Sequence, residues 1–504
     1  MTFVDIGTRI ARHAAERPQA EALVVGDQRT CWAEFDRAIN RRANLLIGQG
    51  VRPGDRVAIL APTSAAYLET FLGTLRAGAS AVPLSPMAAP DALRAMISDS
   101  GAVVLCAASA TRDLAEACAG PDVGRIAFDF AAPGWIDGAA PVADTPPGVT
   151  ITPEMGFNLI YSSGTTGTPK GIVHNHDTRT VTLDRLVGLG FGPDCRTLVA
   201  TPLYSNTTLA AWLPTVGLGG TVVLMTKFDA HRFLELAQGE RITHTVLVPV
   251  QYQRILAEPD FDRFDLTSFR FKMVTSAPIR AQAKREIVDR WPGPLLEMYG
   301  LTEGGGLCTL DVGANPGKLD TVGKPAWGCD MRILDDRGVE LPPGQVGEIV
   351  GRGPVMMSGY HNQPDRTAEM IWRSPEGEVF FRSGDLGWFD ADGFLHLSDR
   401  KKDMIISGGF NIFATDLEVV LAAHPDVRDV AVIGIPSAEW GETPLVLVVT
   451  RPGTTVTADD LRGWANAQLG KAQRISAVEF RDSLPRNALG KILKRELRAP
   501  YWPA

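Results

Sequence analysis

The chain has 504 residues, 45% of them hydrophobic, and a mean hydropathy of zero, the balance of an ordinary soluble protein with room for two or three domains. Its net charge of -8 argues against a general role on nucleic acid or anionic membrane surfaces, so any bound anion must be met by local donors. Six cysteines without a C-x-x-C pair, no apolar signal core at the start and no run of 18 apolar residues set the expectation of a cytoplasmic protein with reduced thiols.

Near the start, "FDRAINRRANLLIGQG" and "AAYLETFLGTLRAG" have helical periodicity, with the strand-like "DRVAIL" between them. Next comes "FNLIYSS", an apolar run that passes into "GTTGTPKG". The spacing fails the Gly-Lys-Ser/Thr phosphate-loop pattern, yet the composition suits phosphate. Gly164 and Gly167 let backbone N–H groups approach closely, while Ser162, Ser163, Thr165 and Thr166 add hydroxyls. Lys170 adds a mobile cation, and Pro169 pushes Thr168 towards an extended backbone, which predicts a flap over phosphates and no helix there.

From Arg196 the short runs "RTLVATPL", "TVVLM", "HTVLVPV", "FKMVT" and "PLLEMY" alternate with helical segments such as "DAHRFLELAQGERI" and "IRAQAKREIVDRW". That alternation predicts a mostly parallel sheet with helices on both faces. After Gly317 the texture turns to short strands and "DDRG" and "PPGQ" turns, a β-rich layer. Beyond "LSDRKKDMI" the helices "TDLEVVLAAHP" and "TADDLRGWANAQLG" open with capping-box spacing at Thr415/Glu418 and Thr457/Asp460, and enclose strands "DVAVIGIP" and "PLVLVVT". The fold class expected is therefore α/β: a large N-terminal domain, 1–399, of parallel-sheet α/β subdomains and a small β-rich layer, followed by a small α+β domain, 400–504.

Five segments in this order, "YSSGTTGTPKG", "YGLTE", "RSGDLG", "DRKKDMIISGGFNI" and "PRNALGKILK", make nearly the whole chain resemble the adenylate-forming superfamily of acyl-CoA ligases, luciferases and peptide-synthetase adenylation domains. The resemblance implies that Mg·ATP activates a carboxylate as an acyl-adenylate with loss of pyrophosphate, after which a thiol, usually coenzyme A, displaces AMP. The first step brings two anions together and so calls for cations and donors around the transferring phosphoryl group. Residue by residue, the resemblance implies Glu303 as the Mg²⁺ anchor, Thr302 on the α-phosphate and Lys491 as the catalytic cation. Tyr299 and Gly300 would face adenine, Asp385 and Arg400 the ribose, and Ser276, Ala277 and Pro278 would join the nucleotide site. The small C-terminal domain would be mobile, rotating about a hinge at Lys402 between the half-reactions. Gly408 and Gly409 would then line a tunnel for the pantetheine arm, with Trp440 and Arg474 on the coenzyme A side.

Two departures concern that coenzyme A grip: Ala472-Gln473-Arg474-Ile475 replaces an aromatic-Lys-x-Pro pattern, and Met87 stands where the family often has arginine. The pocket expected for the acid is roomy and polar, built from Tyr204, Ser205, Asn206, Thr207 and Thr275, with Gly304, Gly305 and Gly306 leaving space. An aryl or aryl-alkanoic acid is the expectation. A medium- or long-chain fatty acid, an acceptor other than coenzyme A, an oxidative luciferase and a non-catalytic homologue are the alternatives. A homodimer is a candidate assembly.

Overall fold

Strands and helices alternate along the first three hundred residues, where the apolar runs predicted them. The computed structural model describes residues 3–162, 170–326, 328–407, 410–470, 473–487 and 490–502. They group into two units, the first comprising Met1–Asp320, Pro325–Asp330 and Arg352–Phe381, the second Thr321–Lys324, Met331–Gly351 and Arg382–Ala504.

The first unit contains two sheets. In one, the strands run in the order Leu307–Asp311, Leu295–Gly300, Phe271–Thr275, His244–Leu247, Arg196–Val199, Thr221–Leu224, Glu21–Val25 and Gln28–Cys31. In the other the order is Gly359–Tyr360, Lys170–Asn175, Gly156–Ser162, Ser80–Pro83, Arg56–Leu60, Val104–Ala107, Gly124–Ala127 and Ile136–Asp137. Central strands pair in parallel, and antiparallel partners sit towards the edges. The runs that form central strands are buried along nearly their whole length, as expected when helices cover both faces. One core joins the sheets: Phe71 of the helix Ala65–Arg76 meets Phe157 at 5.9 Å and Trp212 edge-on at 5.3 Å between ring centres. Such aromatic pairs add to what burial alone contributes.

The second unit has an α+β body. Strands Val427–Ser437 and Gly441–Thr450 form a long hairpin, extended on one side by Ile405–Ser407 and Phe410–Ile412, with Ala477–Phe480 pairing in parallel. Helices Ala414–Ala422 and Ala458–Asn466 close over its apolar face. The capping box at Thr457/Asp460 is present, with reciprocal bonds of 3.2 Å. The one expected at Thr415/Glu418 is absent. Phe413 caps that helix without a side-chain bond, and Glu418 accepts from Val432 N–H at 2.8 Å and pairs with Lys494 at 2.8 Å instead. A buried ammonium offers this carboxylate more than a helix end does.

Candidate active site

Arg196–Val199, His244–Leu247, Phe271–Thr275 and Leu295–Gly300 are mutually parallel, so their carboxyl ends share one rim, the usual ligand edge of an open α/β sheet. Polar sequence leaves that rim at three places: Tyr204–Thr208, Thr275–Pro278 and Tyr299–Glu303. Segments 95 residues apart in the chain (Tyr204 to Tyr299) are thereby brought to one edge. Ser205 caps the helix Asn206–Gly217 through a 3.3 Å bond from Thr207 N–H. The Thr207 and Ser276 hydroxyls are 2.5 Å apart, joining two of the three segments. Ser276 has φ +75°, a conformation serine rarely takes and one that surrounding structure must impose.

Space at the glycines after Glu303 is not open as expected. A Cβ on Gly304, where φ is +70°, would lie 1.9 Å from the Val355 carbonyl oxygen, and one on Gly305 would lie 2.6 Å from Phe381 Cβ. At both positions the missing side chain accommodates the protein's own close packing. Gly306 is buried, with φ +84°.

The phosphate-loop motif joins two antiparallel strands, Gly156–Ser162 and Lys170–Asn175, with Ser162 opposite Lys170. A strand, Lys170–Asn175, follows it, while Thr168 and Pro169, where no helix is expected, lie outside the described residues. Ser163, Gly164, Thr165, Thr166 and Gly167 lie outside the described residues, as does the side chain of Ser162. Beside the second strand, the Lys170 ammonium stands 5.4 Å from the Tyr360 ring centre, and the Tyr360 hydroxyl donates to Glu303 Oε1 at 2.9 Å. Burial, followed by the charge of Glu303, pushes the Tyr360 phenol far up, so it stays a donor. The Glu303 carbonyl accepts Met357 N–H at 2.9 Å, which fixes its backbone as well. At the hairpin's base Tyr161 donates to Asp99 Oδ2 at 2.6 Å. Lys170, Glu303 and the hydroxyls nearby suit a triphosphate carried with a hard cation: one carboxylate for the metal, one ammonium for the anion.

In the second unit Arg400 lies opposite Asp385 in an antiparallel pair, and its Nε is 3.2 Å from Asp385 Oδ1. Asp385 is 7% exposed, an uncommon setting for a carboxylate unless it is paired. Lys402 occupies the turn between Leu395–Arg400 and Ile405–Ser407, and its carbonyl accepts from Arg498 Nη1 at 2.7 Å. Lys491 rides a short hairpin: its N–H donates to Asn487 Oδ1 at 2.9 Å, its carbonyl accepts Asn487 N–H at 2.9 Å, and Arg486 bridges to Ile492. Burial, then the Arg400 charge, pulls the Lys491 ammonium down to about 8, with Asp385 opposing. Trp440 is 52% exposed at the tip of the long hairpin, and Arg474 is also exposed. Gly408 and Gly409 lie outside the described residues.

Sequence reading missed four residues here: Tyr360, Asp99, His174 and Arg179. The last two do carry a signal, since "KGIVHNHDTRT" follows the phosphate loop directly and places His174 in the strand Lys170–Asn175 and Arg179 in the short helix after it.

A family model described as AMP-binding enzyme matches residues 10–361, and one described as AMP-binding enzyme C-terminal domain matches residues 416–491. The chain is 38% identical over 499 residues to a feruloyl-CoA synthase of an Amycolatopsis species, covering 98% of this chain and 99% of that one. It is 32% identical over 516 residues to an indoleacetate–CoA ligase of Aromatoleum aromaticum, covering 98% of each. Among solved structures, ATP-bound MatB from Rhodopseudomonas palustris superposes with a TM-score of 0.88 at 30% identity over 99% of both chains.

Proposed function

The chain belongs to the AMP-binding enzyme family and is a carboxylate–CoA ligase acting through an acyl-adenylate; from that premise we propose that its acid is an aryl or aryl-alkanoic one. The observation that carries this reading is the hydroxyl and amide lining at the rim, Ser205, Asn206 and Thr207, closed by the bond of Thr207 to Ser276. A ring with polar substituents uses such groups better than an alkyl chain does, because unpaired polar groups in a pocket disfavour an apolar guest. The feruloyl and indoleacetate substrates named for two relatives are ring-bearing as well.

In this reading Lys170 and the loop 163–167 hold the β- and γ-phosphates, Thr302 meets the α-phosphate and Glu303 holds the magnesium that ATP brings. Magnesium supplies charge neutralisation on the phosphates. Tyr299, Gly300, Ala277, Pro278, Asp385 and Arg400 take the nucleoside. Lys491 offsets the charge that develops as carboxylate oxygen bonds to phosphorus and pyrophosphate leaves. After the hinge at Lys402 turns, Gly408, Gly409, Trp440 and Arg474 serve coenzyme A, whose sulfur bonds to the acyl carbon as AMP leaves. The C-terminal domain of this reading is 400–504. A cytoplasmic location and a homodimer belong to the same reading, and no helix among the described residues is long and apolar enough to cross a membrane.

Incubation with Mg·ATP, coenzyme A and a mixed pool of aromatic, cyclic and fatty acids, read by mass spectrometry, tests it. An aryl-CoA with equimolar AMP is expected. A fatty acyl-CoA in its place would overturn the choice of acid. Acyl-adenylate without thioester would point to another acceptor, the reading that the altered stretch 472–475 favours.

A further inference from the structure

Behind the proposed acid side sits a cation with no anion. Arg179 follows the second strand of the phosphate hairpin, in the short helix His176–Thr180, and is half-buried in the first unit. Its Nε donates to Asn158 Oδ1 at 2.9 Å, and its Nη2 donates to Asn206 Oδ1 at 2.8 Å and to His174 Nδ1 at 3.1 Å. No carboxylate among the described residues pairs with it, and Nη1 has no partner among them.

Hydrogen-bond accounting then fixes what the cluster lacks. A guanidinium has donors only, so both amides must turn their oxygens to it and His174 must present its unprotonated nitrogen. The His174 proton therefore sits on Nε2, the nitrogen left to hydrogen-bond the backbone of Thr302. Each amide is left with its NH₂ as the outward group. Asn158 Nδ2 is buried with no partner among the described residues, in a side chain 1% exposed. Asn158 Nδ2 is thus a buried donor without an acceptor, and beside it Arg179 Nη1 and Asn206 Nδ2, in partly exposed side chains, have no protein acceptor among the described residues either. Buried donors of this kind are normally paired.

We propose that the missing acceptor arrives with the substrate: Arg179, supported by Asn158 and Asn206, recognises an oxygen substituent of the acid (a ring hydroxyl or phenolate, or a second carboxylate) distinct from the carboxylate that is adenylated. The reacting carboxylate is a poor candidate, because pairing with an arginine would withdraw charge from the oxygen that must attack phosphorus. The direct link of Arg179 is to Asn206, the first residue of the helix Asn206–Gly217 on the proposed acid side. Through His174 the same cluster touches the backbone of Thr302, so filling it also steadies the residue beside the α-phosphate.

This inference rests on the ligase reading above, and acid-dependent ATP–pyrophosphate exchange tests the two separately because it reports adenylation whatever the acceptor. The acids are cinnamic acid and its monosubstituted hydroxy, carboxy and methyl derivatives, the methyl compounds controlling for size. The wild type is expected to favour the best hydroxy- or carboxy-substituted acid over its methyl counterpart by roughly ten- to a hundredfold in kcat/KM, the worth of one charge-assisted hydrogen bond. Arg179→Met should bring that ratio within about threefold of one, and Arg179→Lys should restore part of it. Asn206→Asp, which gives the arginine a carboxylate of its own and keeps the side chain's shape, should lower the ratio too and serves if the methionine variant fails to fold. A ratio untouched by these variants, or an equal loss on both acids, overturns the inference and leaves the ligase standing. No exchange with any of these acids in the wild type would remove the aryl-acid reading and this inference with it.

Discussion

The Tyr360 hydroxyl donates to Glu303 Oε1 at 2.9 Å, across 57 residues of sequence, while the Lys170 ammonium stands over the same ring at 5.4 Å. One aromatic side chain therefore orients both the carboxylate assigned to the metal and the cation assigned to the phosphates. Tyr360→Phe keeps the ring and removes the bond that aims Glu303. The KM for Mg·ATP should rise several-fold with a smaller change in the KM for the acid, about the loss of one hydrogen bond to a charged group. Steady-state kinetics varying each substrate in turn check this, and an equal rise for both would count against the role.

In the reading proposed above Lys491 has to be charged to offset the pentavalent phosphorus, and burial has lowered its pKa to about 8. The charged form is lost as pH rises through that value, so kcat/KM for adenylation, which reports the free enzyme, should fall above about pH 8. An ordinary lysine would hold until beyond pH 10. A profile of pyrophosphate exchange that stays flat to pH 10 would refute the assignment. Lys491→Ala should abolish adenylation and leave thioester formation from supplied acyl-adenylate.

Lys402→Pro should do the reverse, sparing pyrophosphate exchange and blocking acyl-CoA formation. Proline would fix the backbone of the turn that, in the proposed reading, rotates for the second half-reaction. Unchanged overall turnover would dismiss the hinge.

Acid should destabilise the first unit through its interior histidines. His176 is 1% exposed with neither ring nitrogen bonded among the described residues, and burial lowers its pKa, like that of His244, to about 4. The unfolded chain takes up these protons near pH 6.5, and the folded rings refuse them until about pH 4. Stability is therefore intact above pH 6.5 and falls through that window, by roughly 3 kcal/mol per ring at most. His176→Leu should be no less stable at pH 7, since it buries no unpaired nitrogen, and its melting temperature should depend less on pH between 6.5 and 4. An unchanged pH dependence would contradict this.

Lys284 and Glu297 form an ion pair that is almost fully buried, and the Lys284 ammonium also donates to the Leu319 carbonyl at 2.8 Å. Lys284→Met alone strands a carboxylate and should cost about 3–5 kcal/mol, whereas Lys284→Met with Glu297→Leu should recover most of it. Thermal melts of the four forms give the coupling. A double variant no better than the single would show that packing, not charge, sets the loss.

The parts of the fold and site that were legible in sequence are those written locally. The strand ends at Tyr299–Glu303, the hairpin around Lys170 and the Thr457/Asp460 cap each depend on residues a few positions apart. What escaped depends on pairing across the chain. Glu418 has the spacing of a capping residue, and a lysine 76 positions later overrides that local preference. The glycines at 304 and 305 read as room for a ligand because nothing near them announces Val355 or Phe381. Tyr360 joins the site only because a two-residue strand lies against Ile172. The role proposed for Arg179 rests on the lack of a carboxylate beside it among the described residues, which the sequence around it does not record.

The hairpin that carries Lys491 leads directly into the helix that carries Lys494, and the two amines are chemically unlike. Burial works against the charge on Lys494 too, but Glu418 and Asp399 outweigh it and raise its pKa. At pH 7.5 roughly a quarter of Lys491 is the free amine, against about one in a thousand for an unperturbed lysine. Lys272, lowered to about 7, is sealed inside the first unit. Among the described lysines, Lys491 is therefore one of the amines most open to an electrophile at neutral pH, together with the exposed Lys402, whose pKa burial also lowers. A mild acylating or aldehyde reagent should mark Lys491 before the lysines whose pKa is ordinary, and in the reading proposed above that would switch off the first half-reaction without touching the gene.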